Sequence, residues 1–88
     1  MFRQLCSSMH MKFTAYFNHT RERPDRREIQ LDWVERVIFH PDVERLQADG
    51  RIRRWKRIPE SEDRWFRVVL LEDGETVHNA FFDRRFRG

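Results

Sequence analysis

Residues 65–82, WFRVVLLEDGETVHNAFF, set two runs of apolar, β-branched and aromatic side chains on either side of Asp73-Gly74. Asp-Gly between such runs predicts a β-hairpin, because a two-residue type I′ turn needs positive φ at both central positions and these residue types favour it. With Asp73 and Gly74 as the loop, Leu71 faces Thr76, Val69 faces His78 and Arg67 faces Ala80. Side chains alternate along a strand. Phe66, Val68, Leu70, Val77, Asn79 and Phe81 are therefore expected on one face, and Trp65, Arg67, Val69, Leu71, Thr76, His78, Ala80 and Phe82 on the other. The first face is nearly all apolar and is the expected core; the second is where a function would sit.

The chain has 88 residues, enough for one small domain of a sheet and a helical layer. Phe13, Tyr16, Phe17 and Thr20 share one side at helical spacing, with Thr14 as a cap and Pro24 as a stop. Asp25 followed by Glu28 reads as an acidic capping box for a second helix, whose stripe is Ile29, Trp33, Val34, Val37 and Ile38 and whose end is His40-Pro41. Strands are expected at 43–47 and 51–58, with turns at Asp49-Gly50 and at 60–63. The expected fold is α+β, with two N-terminal helices packed on one face of a four-stranded antiparallel meander sheet. That domain occupies residues 12–88, and residues 1–11, which lack periodicity, are expected to be a disordered N-terminal extension.

Strand parity then decides which charged residues meet. If 60–63 is a four-residue loop, Ile58 faces Trp65, Lys56 faces Arg67 and Arg54 faces Val69. Trp55 joins the core face, while Ile52, Arg54, Lys56, Arg67 and His78 lie outside beside Trp65 and Phe82. A loop one residue longer or shorter moves Arg54 and Lys56 to the opposite face.

Lys and Arg number 18 against 15 Asp and Glu, and the basic residues cluster at Arg51–Arg57 and Arg84–Arg87. Basic runs interleaved with aromatics suit a polyanion, above all RNA, through phosphate contacts and base stacking. The expected nucleic-acid-binding residues are Arg51, Arg54, Lys56, Trp65, Arg67, Phe82, Arg84 and Arg85. Metal-free RNA cleavage needs a base for the 2′-hydroxyl, an acid for the departing 5′-oxygen and positive charge at the phosphate. His78 would be the proton carrier, with Arg67 and Lys56 supplying charge; the plainer reading of His78 is a packing or hydrogen-bonding residue of the sheet.

Other chemistries find no residues to carry them. His10, His19, His40 and His78 are too dispersed for a zinc site, no glycine-rich phosphate loop occurs, and no metal or cofactor is expected. Cys6 is the single cysteine, so no internal disulfide is possible and a reducing cytoplasm is the expected location. No apolar run is long enough to cross a bilayer, so no membrane partner is expected.

His19, Thr20, Arg23, Arg27 and Ile29, continuing through Val34, Val37, Ile38 and Pro41, resemble the His-Ala-x-x-Arg-x-x-x-Arg-Gly-Ile, helix, Pro opening of small uncharacterised bacterial domains distantly similar to the BrnT and RelE toxins. The resemblance covers roughly the first half of the chain after Met11. It implies helices on an antiparallel sheet and, for the toxins, an endoribonuclease acting on messenger RNA and restrained by a partner antitoxin. His19, Arg23 and Arg27 match the motif by position, which adds His19 to the candidate catalytic residues; Glu28 stands where the motif has Gly. The second half departs from it, and no toxin catalytic residue is matched in the sheet. The leading expectation is thus an RNA-acting, toxin-like protein. The alternatives are a non-catalytic module binding nucleic acid or protein, and a homodimer that buries the outer face through Trp65 and Phe82.

Overall fold

The computed structural model describes residues 12–87. In chain order these form β1 (Lys12–Phe13), α1 (Ala15–Thr20), a 3-10 turn (Pro24–Arg26), α2 (Leu31–Phe39), β2 (Val43–Leu46), β3 (Ile52–Ile58), a second 3-10 turn (Pro59–Ser61), β4 (Arg64–Leu70) and β5 (Thr76–Phe82). The sheet order is β1-β5-β4-β3-β2. β2 to β5 form the antiparallel meander that the sequence predicts. The expectation of four strands is corrected by β1, which pairs in parallel with Thr76 and Val77 and makes the sheet mixed. A two-residue strand has no alternation to read, and β1 is held by its partner, with the Thr14 amide donating to the Val77 carbonyl at 3.0 Å. The expected extension at residues 1–11 lies outside the described residues.

Thr14 caps α1 as expected, its hydroxyl oxygen accepting from the Phe17 amide at 3.1 Å. A helix this short draws its stability from packing, and α1 buries Phe17 and Thr20. The second helix does not start at Asp25. Pro24 opens only a 3-10 turn there, the Ile29 amide bonds back to the Arg26 carbonyl, and α2 begins after Gln30, which makes no side-chain cap. The Asp25-Glu28 capping box therefore does not open α2. The apolar stripe is as read: Trp33, Val34, Val37 and Ile38 are buried, with Ile29 packed at the core margin. Both helices cover the same sheet face, over Ile58, Phe66, Val68, Leu70, Val77 and Ala80.

Two local irregularities fix what the other face carries. Between β3 and β4 the closing pair is Ile58 with Arg64, so residues 59–63 form the connection and every expected pairing slips by one. Glu62 and Asp63 both take left-handed backbone there, at φ 58° and 59°, and the Asp63 amide bonds to the Ile58 carbonyl. Arg53, Trp55 and Arg57 consequently face outward, opposite Val69, Arg67 and Trp65, whereas Arg54 and Lys56 share the helix-bearing face.

The β4–β5 hairpin exists, but its turn differs from a type I′ pair. Leu71 and Thr76 close it, and only Gly74 has positive φ, at 72°. The Asp73 carboxylate accepts from the Glu75 and Thr76 amides and from the Thr76 hydroxyl, interactions led by the hydroxyl that hold its pKa at about 2. Leu70 pairs with Val77 as expected, then a register shift sets Val69 opposite Asn79, so that His78 and Asn79 together fill the space of one residue. Beyond this bulge the faces exchange. Ala80 and Phe82 turn into the core, and Asn79 and Phe81 turn out.

Past Val77 no strand covers the β5 edge among the described residues. The Ala80 amide donates instead to the Asn79 side-chain oxygen Oδ1 at 3.0 Å, and the Ala80 carbonyl accepts from Arg26 Nη1 at 3.2 Å.

Candidate nucleic-acid interface

The outer face holds an open groove of about 300 Å³. Arg53 comes from β3, Arg67 and Val69 from β4, and His78, Asn79 and Phe81 from β5; the β2–β3 turn contributes Gln47 and Arg51, and α1 contributes Tyr16. Three guanidinium groups thus meet one imidazole, two amides and two aromatic rings.

Arg67 is the deepest of the cations. It lies between Phe81, 4.5 Å from the ring centroid, and Trp55, 5.8 Å away. Its Nε is buried without a hydrogen bond, 3.5 Å from Asp83 Oδ2. Burial lowers its pKa and the Asp83 carboxylate opposes that shift. A charge so placed is costly unless paired, and here the aromatic sandwich and Asp83 share the pairing. Arg53 donates from Nε to Gln47 Oε1 at 2.7 Å, a neutral partner that leaves its charge intact. Arg51 is half-exposed, 3.7 Å from Asp49.

His78 stands at the rim nearest the helices. Its Nδ1 is 3.2 Å from the Thr14 hydroxyl, and its ring stacks on Tyr16 at 4.9 Å. Burial, reinforced by the Arg51 charge, lowers its pKa below the ordinary imidazole value. At neutral pH the ring is therefore uncharged and can accept a proton.

The other half of the outer face is aromatic. Asp83 accepts from Trp55 Nε1 at 3.0 Å, and the following residues turn back so that Phe86 stacks on Trp55 with centroids 4.3 Å apart and planes 8° apart. Trp65 meets Phe86 edge-on at 4.9 Å, with the Arg57 guanidinium 4.9 Å from the Trp65 ring. Trp55 is only 2% exposed, although it faces away from both helices.

Of the sequence-derived candidates, Arg51, Arg67 and His78 come together in the groove, and Trp65 lies beside it on the same face. Three expectations are corrected. Arg54 donates to the Ile38 carbonyl at the end of α2 and pairs with Glu44; Lys56 pairs with Asp42. Both follow from the one-residue slip in the β3–β4 connection. Phe82 packs against Trp33 and Phe66 because of the bulge, so an exposed Trp65–Phe82 patch does not form. His19 is exposed on α1 outside the groove, and Arg84 and Arg85 are exposed beyond β5. Sequence reasoning missed Tyr16, Gln47, Arg53, Asn79 and Phe81. Arg53 follows from the alternative parity, and Asn79 was the signal for the bulge, since an amide on an apolar face demands partners.

Among the described residues no three metal-ligating side chains gather, and no helix is long and apolar enough to cross a membrane. No protein-family model matches the chain, and neither the curated proteins nor the solved structures give a significant match.

Proposed function

We propose that the outer sheet face binds RNA and that the groove around His78 cleaves it without a metal, as a toxin-like endoribonuclease would. The observation that carries this reading is the lining of one groove by Arg51, Arg53 and Arg67 together with a neutral His78. Guanidinium groups suit the oxygens of a phosphodiester. In the reaction, His78 takes the proton of a 2′-hydroxyl, the 2′-oxygen attacks phosphorus, and the P–O5′ bond breaks to leave a 2′,3′-cyclic phosphate. Arg67 and Arg53 hold the charge that builds on the phosphoryl oxygens, and Tyr16 or water returns a proton to the 5′-oxygen. The toxin resemblance would make messenger RNA the substrate and add an antitoxin-like partner in the cytoplasm.

The test is cleavage of a fluorogenic RNA in the presence of a chelator. His78→Ala should abolish cleavage and keep RNA binding, and a substrate with a single 2′-deoxy position should resist cutting there. The contacts of His78 with Thr14 and Tyr16 favour a second reading, in which the ring shapes a non-catalytic binding face. Salt-sensitive RNA binding without cleavage by the unaltered protein would select it.

A further inference from the structure

We propose that the face of Trp55 is a stacking site for an unpaired nucleobase, filled in the free protein by the ring of Phe86. This rests on the reading of the outer face as an RNA-binding surface and narrows it to single strands.

Phe86 lies beyond the last strand, on residues assigned to neither helix nor strand. Its return is set by Asp83, whose carboxylate accepts from the amides of Arg85 and Phe86 and so reverses the chain over β4 and β3. The ring then enters a slot with three walls. Trp55 lies parallel to it at 4.3 Å, Trp65 stands at 80° to it, and the Arg45 guanidinium is 5.4 Å from its centroid. A flat ring stacked on an indole, with a guanidinium 5.4 Å from the ring and 5.6 Å from the indole, is an arrangement that suits a splayed-out base. Phe86 itself brings neither a hydrogen bond nor a charge to the slot.

The slot also adjoins a place for the nucleotide's phosphate. Arg67 lies over the same Trp55 and lines the groove, so a base on Trp55 and a phosphate at Arg67 belong to neighbouring positions of one strand. A paired base could not leave its stack to enter, so duplexes are excluded from this site.

The test compares the full-length protein with Phe86→Ala and Phe86→Leu. The probes are a fluorescent 2′-O-methyl oligoribonucleotide, which cannot be cleaved at its 2′-oxygens, and an abasic strand of equal length and charge. Anisotropy at low salt should show both variants binding the base-bearing strand about five-fold tighter than the unaltered protein, the order of one lost aromatic stack, with the abasic strand unchanged. The leucine variant loses the flat stack on Trp55 while keeping some apolar cover, so a folded form with a weaker plug remains if the alanine variant unfolds. Unchanged or weaker binding of the base-bearing strand by a folded variant overturns the slot while leaving the RNA-binding reading intact. Failure of every form to bind either strand overturns both.

Discussion

The two faces of this sheet achieve burial by different means. Under the helices, Phe66, Val68, Leu70 and Val77 are fully buried among aliphatic and aromatic neighbours, and the contact is between layers of regular structure. On the opposite face no helix among the described residues lies over Trp55, yet it is as buried as Phe17. Its cover is built from guanidinium groups and one returning ring: Arg45, Arg67 and Phe86. Arginine stems and planar heads can thus close an aromatic layer while keeping charge at the surface. The first face is chiefly a store of stability. The second sets its guanidinium groups between aromatic cover and solvent.

Substitutions should separate the two. Phe66→Ala leaves a cavity under α2 and should cost about 3–5 kcal/mol in urea unfolding, with RNA affinity of the remaining folded molecules unchanged. If it weakens binding more than folding, the faces are not independent. The next largest contrast lies between two arginines on adjacent strands that face opposite sides of the sheet. Arg67→Met should lower RNA affinity at least ten-fold and reduce the salt slope by about one, at a stability cost of about 1–3 kcal/mol because the half-buried Asp83 carboxylate loses its cation. Arg54→Ala should act on stability alone. It strips the α2 terminus of a donor to the Ile38 carbonyl, costing about 1–2 kcal/mol, and leaves RNA affinity unaltered.

The smallest effect should come from pH. The folded pKa of His78 is lowered, so between that value and the ordinary imidazole range the unfolded chain binds the extra proton. Stability from this group is complete above the unfolded pKa, declines as pH falls through the folded one, and is level below it. RNA affinity should move the opposite way, tightening as His78 gains charge. A His78→Gln variant should flatten both trends, and the imidazole titration itself can be followed by proton NMR.

Alternation and turn chemistry made much of this legible in advance. The hairpin at Asp73-Gly74, the Thr14 cap, the α2 stripe and the meander all rest on local patterns, and local patterns are what a sequence displays. What escaped were events that add a single residue. Glu62 and Asp63 adopt left-handed backbone in succession; Asp tolerates it but Glu seldom does, so nothing local announced a connection spanning 59–63. The bulge at His78 and Asn79 is likewise a tertiary solution, one that brings Ala80 and Phe82 under the helices. Each displaced its strand by one position, and with period-two alternation one position is a whole face. The outer face therefore keeps a basic and aromatic character while exchanging members: Arg53 for Arg54 and Lys56, Phe81 for Phe82.

Arg26 has a consequence at the open border of β5. A sheet whose last strand offers free amides and carbonyls is a template on which further chains can grow, one after another, into fibrils. By occupying the Ala80 carbonyl, and by holding Asn79 where its oxygen meets the Ala80 amide, this one guanidinium denies an incoming strand its first two bonds. The same residue rests on Phe81 at 5.4 Å, so the guard against runaway assembly is anchored in the surface proposed to hold RNA.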